Sequence, residues 1–373
     1  MQSREIREKF LKFFEERGHT IVPSSSLVPK DDSSVLFTTA GMQQFKPYYI
    51  GGADVVKDFG SSNLASSQKC VRTSDIEEVG DASHLTFFEM LGNFSFGDYW
   101  KKEAIEWAHE FITKELRLTI GYVSVFSGEN DVSEDKESEG IWKSIDPNIV
   151  VKKFGRSDNF WGPTGEEGPC GPTTEIYVDG IEIWNIVFNE YYQDKAKKLT
   201  KLTKPGVDTG MGLERLVKVA QKVGTVFETD LFKPIMEKTD SRIIADHIRT
   251  SCFMIADGVA PSNTDRGYIL RRLLRRAYVK NKNVYPVIDA VVNHPSYQGL
   301  YTFAPNTKEI VRQELDKFEE ALEQGLKQVK KGADPFILFT TYGLPPDIIE
   351  EVTTIDKEKF KKQMEEHKRI SKL

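Results

Sequence analysis

An acidic residue, two glycines and an arginine lie close together in the segment Asp208-Thr-Gly-Met-Gly-Leu-Glu-Arg215. Glycine has no side chain, so Gly210 and Gly212 allow a ligand to approach the backbone closely. Arg215, on the first turn of a helix that begins near residue 212, can reach a nucleotide phosphate or stack on a base. The alternative is a packing role for the two glycines, and this segment alone leaves both interpretations open.

A second candidate for phosphate binding is Arg72, which ends the segment Gln68-Lys-Cys-Val-Arg72 and precedes an acidic loop. The planar guanidinium of an arginine at a strand end suits bidentate binding of phosphate. Phe88 belongs to the strand that returns after this loop, and its ring could stack on a purine. Core packing is the simpler interpretation for most of the neighbouring phenylalanines, which are Phe87, Phe94 and Phe96.

Residues 162–172 are rich in glycine and proline, and they form either an irregular surface loop or a rigid wall. As a wall, they would bring Trp161 and Glu175 to a pocket. Cys170 has no histidine near it in sequence, so we expect a small buried thiol rather than a nucleophile. The three cysteines lie far apart without a Cys-x-x-Cys pair. This pattern predicts neither a disulfide framework nor a zinc site, and it favours a reducing, cytoplasmic location.

A strongly basic segment stands out in a chain whose formal net charge is −6, because residues 266–282 contain seven basic residues and no acid. Helical spacing separates an apolar face from a basic one. A solvated charged face usually carries both signs, so a face of one sign favours contact with nucleic-acid phosphates. The candidate residues are Arg266, Arg271, Arg272, Arg275 and Arg276.

The hydrophobic pattern changes near residue 240. Strands and helices are mixed before this point and the pattern is almost entirely helical after it, which predicts an α+β fold with domains at 1–240 and 241–373. Asp179-Gly180 predicts a tight hairpin turn. The predicted helices are 3–17, 101–116, 212–222, 243–256, 268–278 and 311–329. The predicted strands are 35–39, 85–96, 175–178 and 181–188, and 61–68 is predicted to be a polar loop.

Composition excludes several classes of protein. Of the 373 residues, 39% are hydrophobic and 29% are charged, which is typical of a folded chain and not of a fibrous or disordered one. There is no run of about 18 apolar residues that could span a membrane. The first helix is charged and has no apolar segment typical of a signal peptide. We therefore expect no membrane partner.

Three stretches occur together in an order that identifies a known family. They are Lys69-Cys-Val-Arg72, Thr86-Phe-Phe-Glu-Met-Leu-Gly-Asn-Phe-Ser-Phe-Gly-Asp-Tyr99 and Asp208-Thr-Gly-Met-Gly-Leu-Glu-Arg215. The first two resemble motif 2 of alanyl-tRNA synthetases, and the third resembles motif 3. Residues 24–29, 39–45, 158–161, 168–172, 183–188, 244–249 and 256–263 match as well. The resemblance runs from residue 3 to the C-terminus and covers the family's class II aminoacylation domain and helical tRNA-recognition region. It does not cover the family's editing or C-terminal domain.

This resemblance implies roles for individual residues of the catalytic domain, whose fold would be an antiparallel sheet flanked by helices. Three would be catalytic: Arg72 would hold the α-phosphate and the substrate carboxylate, Asp208 would pair with the ammonium of alanine, and Arg215 would cover adenine or meet the γ-phosphate. Phe88 would stack on the other side of adenine. The further ATP contacts would be Glu89, Gly210 and Gly212, and the alanine pocket would be formed by Met42, Met90, Trp161, Asn185 and Val187. Glu175 would help to hold Mg²⁺.

The resemblance also implies how RNA is read. In the family, an asparagine and an aspartate approach a G·U pair of the acceptor stem from the minor groove. Asn263 matches the asparagine, but Thr340 occupies the position of the aspartate. The sequence further departs from the family at His84-Leu85, where the family has paired histidines, and in a shorter loop after Arg72.

The implied reaction is ATP plus L-alanine to alanyl-adenylate and pyrophosphate, followed by transfer of alanine to the 3′ end of tRNA(Ala). Its cofactors would be ATP and Mg²⁺ without zinc, its RNA partner the acceptor stem of tRNA(Ala), and its state a cytoplasmic monomer. Two alternatives remain at this stage. One is a paralogue that passes alanine to an acceptor other than tRNA, against which the basic helix argues. The other is a catalytically dead RNA-binding module, against which intact Arg72, Asp208 and Arg215 argue.

Overall fold

The computed structural model of the chain describes residues 1–30, 35–129, 131–163, 165–344 and 346–371. The chain forms two compact units, Met1–Pro234 and Ile235–Leu373. The functions predicted for the two domains, aminoacylation for residues 1–240 and tRNA recognition for residues 241–373, stay predictions.

The first unit contains the strands and seven of the helices in the described ranges. The strands are β1 (Thr20–Ile21), β2 (Asn63–Val71), β3 (Phe87–Phe96), β4 (Tyr122–Phe126), β5 (Val151–Phe154), β6 (Phe160–Trp161), β7 (Gly168–Val178), β8 (Ile181–Gln193) and β9 (Leu199–Gly212). The helices are α1 (Ser3–Glu15), α2 (Lys46–Tyr49), α3 (Val55–Phe59), α4 (Lys101–Glu110), α5 (Lys136–Ile145), α6 (Arg156–Asn159) and α7 (Leu213–Gln221). Short 3₁₀ segments cover Gly41–Phe45, Thr73–Glu77 and Val226–Glu228, and a π-helical turn, Phe111–Glu115, extends α4.

The described strands form one sheet in the order β1-β2-β3-β9-β8-β7-β4-β5, and β6 pairs with β7. The central pairs are antiparallel, as predicted, whereas the pairs β1–β2 and β4–β5 at the two edges are parallel. The predicted hairpin turn joins β7 to β8, and Asp179 and Gly180 both have left-handed φ angles, 51° and 77°. Two such residues match the right-handed twist of the flanking strands, which is why Asp-Gly is favoured there.

Two predictions about the first 70 residues were wrong. Residues 35–39 form no strand; Thr38 makes single backbone hydrogen bonds to Leu27 and Val71 instead of a ladder. Residues 63–68 belong to the buried strand β2 rather than to a polar loop. The largest polar side chain among them, Gln68, is tolerated inside because it has partners: its amide is hydrogen-bonded to the backbone N–H and carbonyl of Ser25.

The sheet has one face covered by helices and one face that carries the predicted site residues, because successive side chains of a strand point to opposite faces. On β8, Trp184 contacts the rings of Phe10 of α1 and Phe111, with centroids 5.8 Å and 5.9 Å away. Asn185 and Val187 are two positions apart on β8, so their side chains point to the same face, opposite to that of Trp184.

The second unit is helical in its described residues. Its helices are α9 (Arg242–Ala256), α10 (Asp265–Lys280), α11 (Tyr285–Val292), α12 (Thr307–Val329), α13 (Pro335–Tyr342), α14 (Pro346–Val352) and α15 (Lys357–Ser371), and α8 (Lys233–Met236) contains the point of division between the units. The helices predicted over 243–256, 268–278 and 311–329 are confirmed. Helix α9 packs against α10 and α11, and α10 packs against α12.

Candidate active site

Most of the predicted catalytic and substrate-binding residues line one cavity of about 200 Å³ in the first unit. The predicted residues in its wall are Arg72, Phe88, Met90, Trp161, Glu175, Asn185, Val187, Asp208, Gly210, Gly212 and Arg215. Met42 and Glu89 are not in the wall. The roles given to these residues stay predictions, but the fold brings positions that are up to 143 residues apart in sequence to one place.

Strand register explains this convergence. Phe88 and Met90 of β3, Asn185 and Val187 of β8, and the trio Asp208, Gly210 and Gly212 of β9 are each spaced by two residues, so each set shares one face of its strand. Cross-strand pairing then joins them: Met90 pairs with Gly212, Gly210 with Asn185, Asn185 with Glu175, and Asp208 with Val187. The site is therefore a patch of the central sheet.

Asp208 is a buried carboxyl group to which no counter-charge among the described residues contributes. Burial raises the pKa of its carboxyl group to about 8, and no hydrogen bond or nearby charge contributes to this shift. An opposite charge placed next to it would favour the ionised form strongly. Asp208 is thus an unsatisfied site for one cation, of a size that the small cavity can hold.

Asn185 and Glu175 form the opposite side of the same patch. The Asn185 Nδ2 group donates a hydrogen bond of 3.1 Å to Glu175 Oε1. Asn185 Oδ1 is buried and has no hydrogen-bond partner among the described residues. Burial raises the pKa of Glu175 to about 7, although hydrogen bonds from Tyr177 and Ser124 lower it.

Two arginines border the cavity. The guanidinium of Arg72 lies 5.1 Å from the centroid of the Phe88 ring, and its Nε donates to the Thr39 carbonyl at 3.3 Å. Arg215, on the first turn of α7, pairs with Glu182 at 2.7 Å across a half-exposed surface. A half-exposed ion pair is weak, so a phosphate can displace Glu182 at little cost.

The assignment of Glu175 to magnesium stays a prediction, and in the ligand-free structure the carboxylate of Glu175 is held by protein donors. Its Oε1 accepts from Asn185, and its Oε2 accepts from the Tyr177 hydroxyl at 2.7 Å and Ser124 Oγ at 3.2 Å. These three donors occupy three of the roughly four acceptor sites of the carboxylate. Within the described part of the chain, no group of three or more His, Cys, Asp or Glu side chains could hold a metal ion.

Met42 and Glu89 lie behind the wall. Met42 is fully buried in an apolar cluster that also contains Met90 and Phe94. Glu89 has the opposite parity to Phe88 on β3 and faces α1, where its carboxylate accepts two hydrogen bonds from Arg7 at 2.7 Å and 2.9 Å. Glu89 is therefore placed to support the strand that carries Phe88.

Two polar side chains in the wall were missed by the sequence analysis as site residues. His84 lines the cavity, and its Nδ1 lies 2.6 Å from Asp81 Oδ2. The spacing Asp81-Ala-Ser-His84 offered a signal, because an aspartate readily accepts from backbone N–H groups two and three residues on. Asp81 does so with Ser83 and His84. Glu182, the partner of Arg215, had no such signal, because an irregularity in the pairing of β7 with β8 sets its position.

Residues 162–172 were expected to form either a surface loop or a rigid wall, and residues 168–172 form a wall. Residue 164 lies outside the described residues. Residues 168–172 begin strand β7, and Gly171 pairs with Trp161. A Cβ atom on Gly171 would lie 1.8 Å from the Phe188 carbonyl oxygen, so only glycine fits there. Cys170 is fully buried, and burial raises the pKa of its thiol to about 11. It is no activated nucleophile.

The basic helix α10 of the second unit is less exposed than its sequence implied. Arg275 and Arg276 are buried, and Arg275 donates hydrogen bonds to Glu314 of α12 and to the Gly343 carbonyl. Arg271 contacts Glu314 as well, at 3.0 Å. Glu314, which pairs with Arg271 and Arg275, lies on a different helix from these arginines. The local charge pattern of α10 could therefore not show this pairing. The candidates at or near the surface are Asn263, Arg266, Arg271, Arg272 and Thr340.

We expect Gly210→Ala to destabilise the protein more than Gly212→Ala. A Cβ atom on Gly210 would lie 2.9 Å from Met90 Sδ, whereas one on Gly212 would meet nothing closer than Arg215 Cδ at 4.0 Å. Overpacking of this kind costs about 1 kcal/mol where, as here, the crowded atom belongs to a flexible methionine side chain that can partly move away. Urea-induced unfolding of both variants measures the difference. Equal loss of stability in the two variants would contradict the crowding argument.

Residues 5–373 match the family described as tRNA synthetases class II (A), and the chain belongs to this family. It is 41% identical to an alanine–tRNA ligase of Dehalococcoides mccartyi, over 97% of this chain and 48% of that protein. It is 43% identical to an alanine–tRNA ligase of Thermotoga maritima, over 100% of this chain and 49% of that protein. The chain therefore spans about half the length of these relatives. Among solved structures, the aspartyl tRNA synthetase from Entamoeba histolytica is 15% identical with a TM-score of 0.39, over 62% of this chain and 56% of that chain.

None of the helices in the described ranges is long and apolar enough to cross a membrane.

Proposed function

We propose that this chain carries the aminoacylation activity of an alanine–tRNA ligase. It would activate L-alanine with ATP and transfer the alanyl group to the 3′ end of tRNA(Ala). The observation that carries the proposal is that Asp208 and Asn185 line one small cavity, and that among the described residues no charge compensates the Asp208 carboxyl group and no donor reaches Asn185 Oδ1. An α-ammonium group satisfies both. The likeness to two alanine–tRNA ligases supports the choice of amino acid.

In the first step, a carboxylate oxygen of alanine attacks the α-phosphorus of ATP, and the bond to the leaving pyrophosphate breaks. The nucleophile is already ionised, so the protein needs to position the reactants and neutralise charge rather than remove a proton. Arg72 would neutralise the α-phosphate and the attacking carboxylate. Phe88 would hold adenine against the guanidinium of Arg215. Mg²⁺ would enter on the ATP phosphates and offset their charge.

In the second step, a hydroxyl of the terminal ribose attacks the carbonyl carbon of alanyl-adenylate, and AMP leaves. The second unit would hold the acceptor stem through the exposed part of α10 and its neighbours. Arginine contacts to phosphate position RNA without reading its sequence, which suits Arg266 and Arg272.

The test of the proposal is alanine-dependent exchange of pyrophosphate into ATP, followed by charging of tRNA(Ala). We expect exchange with alanine and efficient charging. Exchange without charging would favour transfer of alanine to another acceptor, and failure of exchange with a folded, ATP-binding chain would overturn the proposal.

We expect relaxed reading of the G·U pair in the acceptor stem. Thr340 is exposed and its hydroxyl donates to the Phe336 carbonyl at 3.0 Å. A hydroxyl is a weaker, uncharged acceptor on a shorter arm than an aspartate. Replacing G·U by G·C should therefore reduce charging by less than about tenfold, or 1.4 kcal/mol, and Thr340→Asp should increase the loss. A loss of about 1000-fold, or 4 kcal/mol, with the wild-type chain would contradict this expectation.

A further inference from the structure

A continuous chain of buried hydrogen bonds runs beneath the cavity, and it ends on the amide of Asn185. Asn159 Nδ2 donates to Ser124 Oγ at 2.9 Å, and Ser124 Oγ donates to Glu175 Oε2 at 3.2 Å. Glu175 Oε1 then accepts from Asn185 Nδ2 at 3.1 Å. Asn159 and Ser124 are fully buried and Glu175 is 6% exposed. Because the network is shielded from water, the donor and the acceptor of each hydrogen bond are well defined.

The side chain of Glu175 determines the orientation of the Asn185 amide. In its ionised form, which predominates above the pKa of about 7, the carboxylate only accepts hydrogen bonds, so it selects the NH₂ end of the amide and repels the carbonyl end. Asn185 Oδ1 is thereby turned away from Glu175, and it is buried without a hydrogen-bond partner in the described structure. With the amide reversed, an NH₂ group would take the place of this oxygen, and it would repel an ammonium group.

The freed oxygen lies on the same face of the sheet as Asp208. Asn185 pairs with Gly210, and Asp208 pairs with Val187, so the two side chains are diagonal neighbours on adjacent strands. Diagonal neighbours of this kind are close enough for polar side chains to share a ligand between them. A cation between them would have one charged and one neutral acceptor.

We propose that Glu175 is a positioning residue for the amino-acid substrate, acting through Asn185 rather than through magnesium. The inference rests on the proposed function, because the ligand it positions is the α-ammonium group of alanine. The three donors on its carboxylate hold it in place against Asn185, which supports this role over the metal role that the family resemblance implied.

The experiment compares Glu175→Gln with Glu175→Leu in alanine-dependent pyrophosphate exchange, with KM measured separately for alanine and ATP. Glutamine keeps an acceptor oxygen for Asn185 Nδ2, and its own amide can donate to the Tyr177 and Ser124 hydroxyls. Leucine removes the acceptor. We expect a KM for alanine at least about tenfold higher in Glu175→Leu, within about threefold of wild type in Glu175→Gln, and an unchanged KM for ATP in both.

Two further variants show whether Glu175 acts through Asn185. In the background Asn185→Ala, the change Glu175→Leu should add less than about twofold to the KM for alanine, because there is no longer an amide to orient. Tyr177→Phe removes a hydrogen bond from the other oxygen of the same carboxylate, and it is the matched control that should leave this KM near the wild-type value.

The outcomes separate the inference from the proposed function. An inactive wild-type chain would refute the proposed function itself. With an active wild type, additive effects of Glu175→Leu and Asn185→Ala would overturn the positioning role. So would a large loss in Glu175→Gln together with a higher requirement for Mg²⁺, which a metal ligand predicts. The Gln variant keeps the test decisive if Glu175→Leu does not fold.

Discussion

The Asp208→Asn variant is expected to lose alanine-dependent pyrophosphate exchange by on the order of 1000-fold while still binding ATP. Asparagine has the same shape, so the cavity is kept, but the buried ammonium group of alanine loses its counter-charge. Removing one partner of a buried ion pair costs about 3–5 kcal/mol. Exchange kinetics, with ATP binding measured by calorimetry, check both parts. Exchange near the wild-type rate would show that the ammonium group binds elsewhere.

The same variant has an opposite effect on the stability of the ligand-free protein. The pKa of Asp208 is raised by burial from its ordinary value of 3.8 to about 8. Between these values the folded state keeps a proton that the unfolded state releases, so stability falls as pH rises, by up to about 1.4 kcal/mol per unit. We therefore expect Asp208→Asn to be more stable than wild type above about pH 4, with a difference that grows until pH 8. Alanine added at pH 8 should stabilise the wild type and not the variant.

The parts of the site that the sequence predicted are those carried by local motifs. The closely spaced acid, glycines and arginine of residues 208–215 identified Asp208, Gly210, Gly212 and Arg215 as a set, and the Asp-Gly turn identified the hairpin that presents Asn185. Such signals lie within one strand or one turn, and the local chain determines them.

The parts that it did not predict depend on contacts between distant segments. Strand β2 was taken for a loop because its composition is polar, and the hydrogen bonds that let Gln68 be buried come from Ser25, far away in sequence. Glu314 pairs with Arg275 from another helix, and Arg7 of α1 binds the carboxylate of Glu89 on β3. Pairing across 39 to 82 residues leaves no trace in local composition.

The buried pair between Arg7 of α1 and Glu89 of β3 gives the second large effect. The two side chains are 4% and 0% exposed, and they join the first helix to the strand that carries Phe88. Arg7→Met leaves the Glu89 carboxylate without its bidentate partner, so we expect a loss of about 3 kcal/mol or more in the free energy of unfolding. Its matched control is Arg4→Met, which breaks an ion pair on the same helix whose side chains are 62% and 65% exposed. That change should stay within about 0.5 kcal/mol.

The double variant Arg7→Met/Glu89→Leu distinguishes a structural pair from a ligand. If Glu89 serves only to hold β3 against α1, replacing both partners by apolar side chains should recover much of the stability that Arg7→Met alone loses, because no unpaired charge remains buried. The KM for ATP should then stay close to that of the wild type, since Phe88 keeps its place on the cavity side of the strand. A double variant that regains stability but binds ATP far more weakly would show instead that the Glu89 carboxylate contacts the nucleotide.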